Sequence, residues 1–280
     1  MIDALKASVK GMLARLAYGR GNRAECSPHG SIVLFHRVNN EYRGDTLTVS
    51  TSAFAAYLRL FKAYFDLIPL DEFVTLVGNG SALEGTLSIT FDDGYLDNYE
   101  HAAPLLERYK IPCTFFVTTE FVESQALPWW DEDLPSRPKW MTWEQVRQLH
   151  EAGFSIGSHT LTHPDLGKVT GVDAQKEIVK SKLILEERLG QTISLFSYPY
   201  GGLQQMAESN IELVRNAGYR ACFSAHGGVV PAGTDVFRLQ RHPISGYHKT
   251  PWMYLYELRR QHMLANHPDR QTYHRSLYRE

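Results

Sequence analysis

Short runs of apolar and β-branched residues alternate with stretches of helical period along most of this chain, the arrangement of a parallel sheet wrapped by helices. Ser31 to His36 reads as the first strand. From Ser52 to Phe65 the apolar residues Phe54, Leu58, Leu60 and Phe61 recur at helical spacing. Leu67 to Leu70 forms another short strand, and Asp71 is placed to cap a helix ending near Gly78. After a strand at Leu87 to Phe91 comes a helix from about Asp97 to Lys110, interrupted early by Pro104, and then a strand at Pro112 to Thr118. Thr142-Trp-Glu-Gln145 matches a capping box and opens a helix that stops at Gly153, with a strand at Phe154 to Ser158 directly behind it. A charged helix from Asp173 to Leu189 ends at Gly190. A strand at Ile193 to Tyr198, a helix to Ala217, and strands near Tyr219 to Ser224 and Val236 to Leu239 complete the alternation.

The ends differ from this middle. Residues 1–30 hold an amphipathic helix, with Ile2, Leu5, Val9, Met12, Leu13 and Leu16 at helical spacing and Lys6, Lys10 and Arg15 among them. Packing on the domain's own surface is the first expectation for that stripe, and peripheral membrane contact through residues 1–20 the alternative. Residues 31–250 form the α/β domain, and residues 251–280 a tail that is helical and then basic. The one long irregular connection, Glu120 to Met141, carries Trp129, Trp130, Asp131 and Trp140; loops of this length in compact domains are usually functional.

Composition narrows the class. A chain of 280 residues with 43% hydrophobic and 21% charged residues can bury one large core. A net charge of -2 gives no general attraction to nucleic acid, so none is expected as a partner. Cys26, Cys113 and Cys222 lack metal-like spacing, and the latter two lie in strand-like runs, so buried thiols are expected. No stretch has the continuous apolar length of a membrane span, and the N-terminus lacks a compact signal core. The expected location is cytoplasmic or membrane-peripheral, with export as the alternative.

Two motifs carry chemistry. Ser88-Ile-Thr-Phe-Asp-Asp-Gly-Tyr95 and Gly157-Ser-His-Thr-Leu-Thr-His-Pro164 each follow a strand, where α/β folds keep their reactive groups. Alone, Asp-Asp-Gly is usually a turn. Together, Asp93, His159 and His163 offer one oxygen and two imidazole nitrogens, a set that suits a divalent cation with an open position. Asp92 is left over as a base, provided that Gly94 lets the chain turn and bring both carboxylates to one cavity.

Thr90-Phe-Asp-Asp-Gly94, Ser158-His-Thr-Leu-Thr-His163 and Ser197-Tyr-Pro-Tyr-Gly201, in that order, resemble the first three motifs of the polysaccharide deacetylases, the NodB-homology group also called carbohydrate esterase family 4. The likeness runs from about Ile32 to Ser245 and includes Leu34-Phe-His-Arg37, Trp129-Trp-Asp131 and Met141-Thr-Trp143. It implies a distorted (β/α) barrel of about seven parallel strands. It also implies metal ligands at Asp93, His159 and His163, a general base at Asp92, and an oxyanion donor in the Tyr200 backbone N–H. Zinc is the expected ion, with cobalt or nickel as alternatives. The implied reaction removes acetyl groups from N-acetylated sugars, so the expected partner is an N-acetylated glycan or amino sugar.

Two departures matter. Ser197 stands where the third motif usually has an Arg that orients the base, as in the branch acting on poly-N-acetylglucosamine, and the motif that supports that Arg is absent. Arg241 and Arg37 are the candidates to replace it. The closing Leu-x-His motif is matched only by the longer Leu239-Gln-Arg-His242, making His242 the expected general acid and His226 its rival. Trp129 and Trp130 are candidates for a sugar-stacking wall, ahead of Trp140 and Trp143, and His36 for a place facing the cavity. A deformylase of a lipid-linked amino sugar and an inactive carbohydrate-binding module are the competing readings.

Overall fold

A computed structural model describes residues 2–20, 27–42, 44–169, 171–246, 248 and 250–265. Cys26 and the end of the C-terminal tail lie outside these residues. The elements in chain order are α1 (Ile2–Arg20), β1 (Ser31–Phe35), β2 (Arg37–Val38), β3 (Thr48–Val49), α2 (Thr51–Tyr64), β4 (Asp66–Leu67), α3 (Leu70–Gly78) and β5 (Thr86–Phe91). There follow α4 (Ala103–Tyr109), β6 (Cys113–Val117), α5 (Trp143–Glu151), β7 (Ser155–Ser158), α6 (Gly171–Leu189), β8 (Leu195–Ser197), α7 (Glu208–Asn216), β9 (Ala221–Phe223), β10 (His242–Pro243) and α8 (Pro251–Ala265).

The principal sheet runs β10-β1-β5-β6-β7-β8-β9, every pairing parallel, with β4 added beside the start of β5. This is the expected distorted (β/α) barrel. The segment 239–243 carries the pairings round: Leu239 bridges Phe223 at one end, and His242 pairs with Val33 at the other. Strands flanked on both faces must be apolar on both, and β1 and β6 are buried at every position. Phe35, Phe91 and Phe115 from three adjacent strands stack with centroids 5.3 Å apart, and Phe54 of α2 meets Phe35 edge-on at 5.0 Å.

Four local expectations need correction. Val236–Arg238 is a 3₁₀ turn, not a strand, because the Asp235 side chain accepts the Phe237 N–H and holds the chain in a turn. Asp71 lies in the first turn of α3 and does not cap it; Pro69 holds the cap position, and for the same reason the strand expected at Leu67 to Leu70 ends at Leu67 and Leu70 is already helical. The Asp97 to Lys110 helix opens with a wide π turn over Asn98–Ala102, and α4 proper starts with Pro104 in its first turn, where a missing N–H costs least. The capping box at Thr142 and Gln145 is present.

The terminal helices α1 and α8 pack against each other and onto α2. Tyr18 meets Tyr64 at 5.4 Å, and Tyr254 meets Tyr57 at 5.7 Å. Ala14 and Tyr18 turn inward, whereas Val9, Met12, Leu13 and Leu16 of the expected apolar stripe face outward, 44–57% exposed. Among the described residues no helix is long and apolar enough to cross a membrane. Cys113 and Cys222 are buried free thiols.

The docking of α8 includes two imidazoles that burial holds in the neutral form, His248 with its pKa pushed down to about 4 and His262 to about 3. The His262 Nε2 lies 3.1 Å from the Ser31 hydroxyl at the start of β1. Because the folded values lie below the ordinary 6.5, unfolding takes up protons as pH falls past 6.5. The associated stability is complete above that pH and is lost progressively as pH falls toward 4 for His248 and toward 3 for His262. Measured by chemical denaturation at pH 5, His262→Asn should show a stability slope shallower by about 1.4 kcal/mol per pH unit than the parent. An unchanged slope would show that this imidazole does not set the acid sensitivity.

Candidate active site

The candidate residues sit where β5, β7 and β8 end. The Asp92 N–H still donates to Phe35 O in the sheet pattern, but Asp93 has φ 76° and Gly94 φ 92°. That pair of left-handed residues turns the chain so that neighbouring carboxylates, which a strand would point apart, enter one cavity. After β7, Thr160 (φ 66°) and His163 (φ 61°) fold the chain back so that His163 returns to His159. Four of the six non-glycine residues described with positive φ, these three and Tyr200, lie at this site, so its backbone strain is local. Gly201 secures the Tyr200 turn: a Cβ there would lie 2.1 Å from the Ala225 nitrogen.

Asp93, His159 and His163 place their donor atoms within 4.8 Å of one another. Both imidazole Nε2 atoms lie 3.3 Å from Asp93 Oδ1. His159 Nδ1 is 2.8 Å from the Ser197 carbonyl, an acceptor only, so Nδ1 carries the proton and Nε2 turns its lone pair toward Asp93. Asp93 Oδ1 is buried and makes no hydrogen bond. Lone pairs converging on a point with no donor between them fit a cation, and one oxygen with two nitrogens fits zinc or a neighbouring transition ion. Burial opposes charge on the Asp93 carboxylate, yet the two imidazoles outweigh it and its pKa lies well below the usual range, so the carboxylate is ionised. For His159 burial acts downward, but Asp92 and Asp93 outweigh it and raise its pKa.

Asp92 stands beside this cluster, 3.8 Å from His159 Nε2. Arg241 grips it with two parallel bonds, Nη1 to Oδ1 and Nη2 to Oδ2, each 2.7 Å. The Ser197 hydroxyl donates to Oδ2 at 3.1 Å and accepts from Arg241 Nη2 at 2.7 Å. Arg241 is itself fixed by Ser224 O and by Thr90 Oγ1. Ser197 therefore occupies the place of the missing Arg, and its small side chain leaves room for a guanidinium arriving from beside β10. Burial raises the Asp92 pKa, but Arg241 and His159 outweigh it and the net direction is down, so Asp92 is ionised and able to accept a proton.

Arg37 does not reach Asp92; it binds Thr48, Tyr95, Asp45 and Asp131. His242 is not brought to the site either. It follows Arg241 in an extended segment, so its side chain leaves by the opposite face, where its ring packs 5.0 Å from that of Tyr254. His226 is exposed on the loop after β9. His36 follows β1 at the same end of the sheet; Asp93 and Asp92 act to raise its pKa, but burial outweighs them and the net direction is down.

Trp130 lies 4.6 Å from the His163 ring, and Tyr200 5.1 Å from it. Trp129 is 68% exposed and sends Nε1 to within 3.3 Å of the Tyr200 hydroxyl. These three form an aromatic rim. Trp140 is buried in a stack on Tyr95 and Phe121, and Trp143 lies under Arg188, so neither joins it.

One supporting residue was not foreseen. The Glu177 carboxylate on α6 accepts the N–H groups of Leu161 and Thr162 and the Thr162 hydroxyl, holding the loop between the two histidines. Replacing it with Ala should weaken metal binding about 10- to 100-fold, as read by competition with a chromophoric chelator. Unaltered affinity would mean that the loop holds its shape without it.

A family model described as polysaccharide deacetylase matches residues 79–222, just over half of the chain. The Bacillus subtilis protein YxkH, itself described as a candidate polysaccharide deacetylase, is 26% identical over 216 residues, covering 76% of this chain and 71% of its own. The poly-beta-1,6-N-acetyl-D-glucosamine N-deacetylase of Staphylococcus aureus is 26% identical over 208 residues, covering 71% of this chain and 68% of its own. In architecture, the Streptococcus pyogenes deacetylase PplD, solved with acetate, superposes with a TM-score of 0.68 at 21% identity, over 82% of this chain and 97% of that one. With its ordered motifs, its barrel and the matching family model, the chain belongs to the polysaccharide deacetylase family.

Proposed function

We propose that this chain is a metal-dependent hydrolase that removes N-acetyl groups from amino sugars of a bacterial surface polysaccharide of the poly-N-acetylglucosamine type. The observation that carries this reading is the Asp93, His159 and His163 cluster with an ionised Asp92, gripped by Arg241, directly beside it. The likeness to the staphylococcal enzyme supports the choice of polymer.

An amide resists hydrolysis because its carbonyl is weakly electrophilic and its amine leaves only when protonated. A divalent ion held by Asp93, His159 and His163 would polarise the acyl oxygen and acidify water. Asp92 takes the proton of the attacking water, and Arg241 and Ser197 keep its oxygens aimed while it does so. The Tyr200 backbone N–H faces the developing oxyanion, a donor worth roughly 3 kcal/mol of barrier. The proton that the departing nitrogen needs is the one Asp92 has taken from water, since His242 packs against Tyr254 away from the cavity and burial holds His36 in the neutral form. The C–N bond breaks, leaving acetate and a free amine on the sugar. Trp130 and Tyr200 offer flat faces to the sugar's C–H surface.

The test is acetate release from β-1,6-linked N-acetylglucosamine oligomers after chelation and return of single divalent ions. Release that requires the ion is expected. Formate release from formylated sugars alone would reassign the acyl group, and oligomer binding without acetate release by zinc-, cobalt- or nickel-loaded protein would overturn the enzymatic reading.

A further inference from the structure

We propose that Arg37 is a positioning residue that, through Asp131 and Tyr95, fixes the aromatic wall of the site and so governs binding of the sugar ring; this rests on the function proposed above. The Arg37 side chain is fully buried. Its Nη1 donates to Asp131 Oδ1 and to the Tyr95 hydroxyl, its Nη2 to Asp45 at 2.8 Å and its Nε to Thr48 at 3.1 Å. The Tyr95 hydroxyl in turn donates to Asp131 Oδ2 at 2.8 Å and accepts from Trp130 Nε1 at 2.9 Å. One guanidinium, one phenol and one carboxylate thus determine where the Trp130 ring stands beside the metal ligand His163.

The loop needs such a device. Between Phe121 and Trp140, which stack on each other at its two ends, its regular structure is a single 3₁₀ turn over Trp129–Asp131, and only Asp131 and Pro138 are buried in the span 123–139. Trp130 makes its hydrogen bond to Tyr95 and not to the body of the barrel, and Trp129 stands 68% exposed. Apolar burial therefore fixes the ends of the loop, and the ion pair fixes its middle. A buried ion pair seldom stabilises a fold more than an apolar replacement of similar shape. What it does supply is direction, since a planar guanidinium accepts its partners in few arrangements.

The experiment compares Asp131→Asn, Trp130→Ala and their combination in the zinc-loaded protein, on an N-acetylglucosamine oligomer and on an aryl acetate that has no sugar. Calorimetric binding of the oligomer to metal-free protein is measured in parallel. Asp131→Asn is expected to raise KM for the oligomer and to weaken its binding about tenfold, with kcat nearly retained. Turnover of the aryl acetate should stay within about twofold. Because both changes act through one ring, the combined variant should lose little beyond Trp130→Ala alone. Tyr95→Phe, which keeps the stack and removes only the hydroxyl, should give the same pattern and serves if Asp131→Asn does not fold. Fully additive losses, equal losses on both substrates, or unweakened oligomer binding would each overturn the positioning role. A parent protein that binds the oligomer yet releases no acetate would count against the proposed function alone, since binding still reports on the wall.

Discussion

Asp92→Asn is expected to lower turnover about 10³-fold while leaving the metal content unchanged. The substitution keeps the shape of the side chain and one oxygen that accepts from Arg241, but it removes the charge that pairs with the buried guanidinium, turns the second oxygen into an N–H donor, and abolishes the ability to take up a proton, so some loss of stability accompanies the loss of turnover. Asp92 lies 3.8 Å from His159 Nε2 and outside the three donor atoms that converge, so the ion does not depend on it. His159→Ala, in contrast, deletes one of those donors and should lose both metal and activity. Metal analysis after gel filtration, paired with acetate release, separates the two. Full turnover by Asp92→Asn would remove the base from the mechanism, and loss of its metal would make Asp92 a ligand instead.

Arg241→Met should be the most damaging change away from the metal ligands. It strands a carboxylate that is 2% exposed, and leaving a buried charge without its partner costs about 3–5 kcal/mol. Asp92 answers in the direction burial dictates. With Arg241 present its pKa lies below the ordinary value, so its contribution to stability is complete above the unfolded pKa and is lost only as pH falls through the lower folded one. Without the guanidinium the pKa rises, and the acid limb of the kcat profile should move to higher pH. The fall in kcat should exceed the rise in KM, because the Arg241 side chain is fully buried and acts through Asp92. Thermal melting together with kcat measured across pH tests both parts, and an unshifted acid limb with unchanged kcat would dismiss the orienting role.

The Asp93, His159 and His163 cluster was legible because its signal is local. Asp92 and Asp93 are adjacent, and His159 and His163 are four apart after a strand, so strand ends and turn residues suffice to bring each pair into view. The choice between Arg241 and Arg37 was not legible, since both follow apolar runs. It is settled by which strand face each one leaves from and which acids lie opposite, Asp92 for Arg241 and Asp131 for Arg37. His242 misled for a related reason: the motif match located the segment correctly, but alternation along an extended chain gives the cavity to Arg241 and the helix layer to His242. Glu177 left no local trace, as a helical carboxylate that binds a loop looks like any other charged residue of α6. The Val236 to Leu239 segment has strand composition, and a single side-chain bond from Asp235 turned most of it into a 3₁₀ turn.

The segment that joins β9 to β1 also delivers Arg241, so closing the ring and gripping Asp92 are the same event. Asp92, Asp93, His159 and His163 all precede it in the chain, and the guanidinium arrives only after β9. Truncation ahead of Leu239 would therefore keep all four of those side chains in the sequence and take away both the closing contacts and the cation that fixes Asp92.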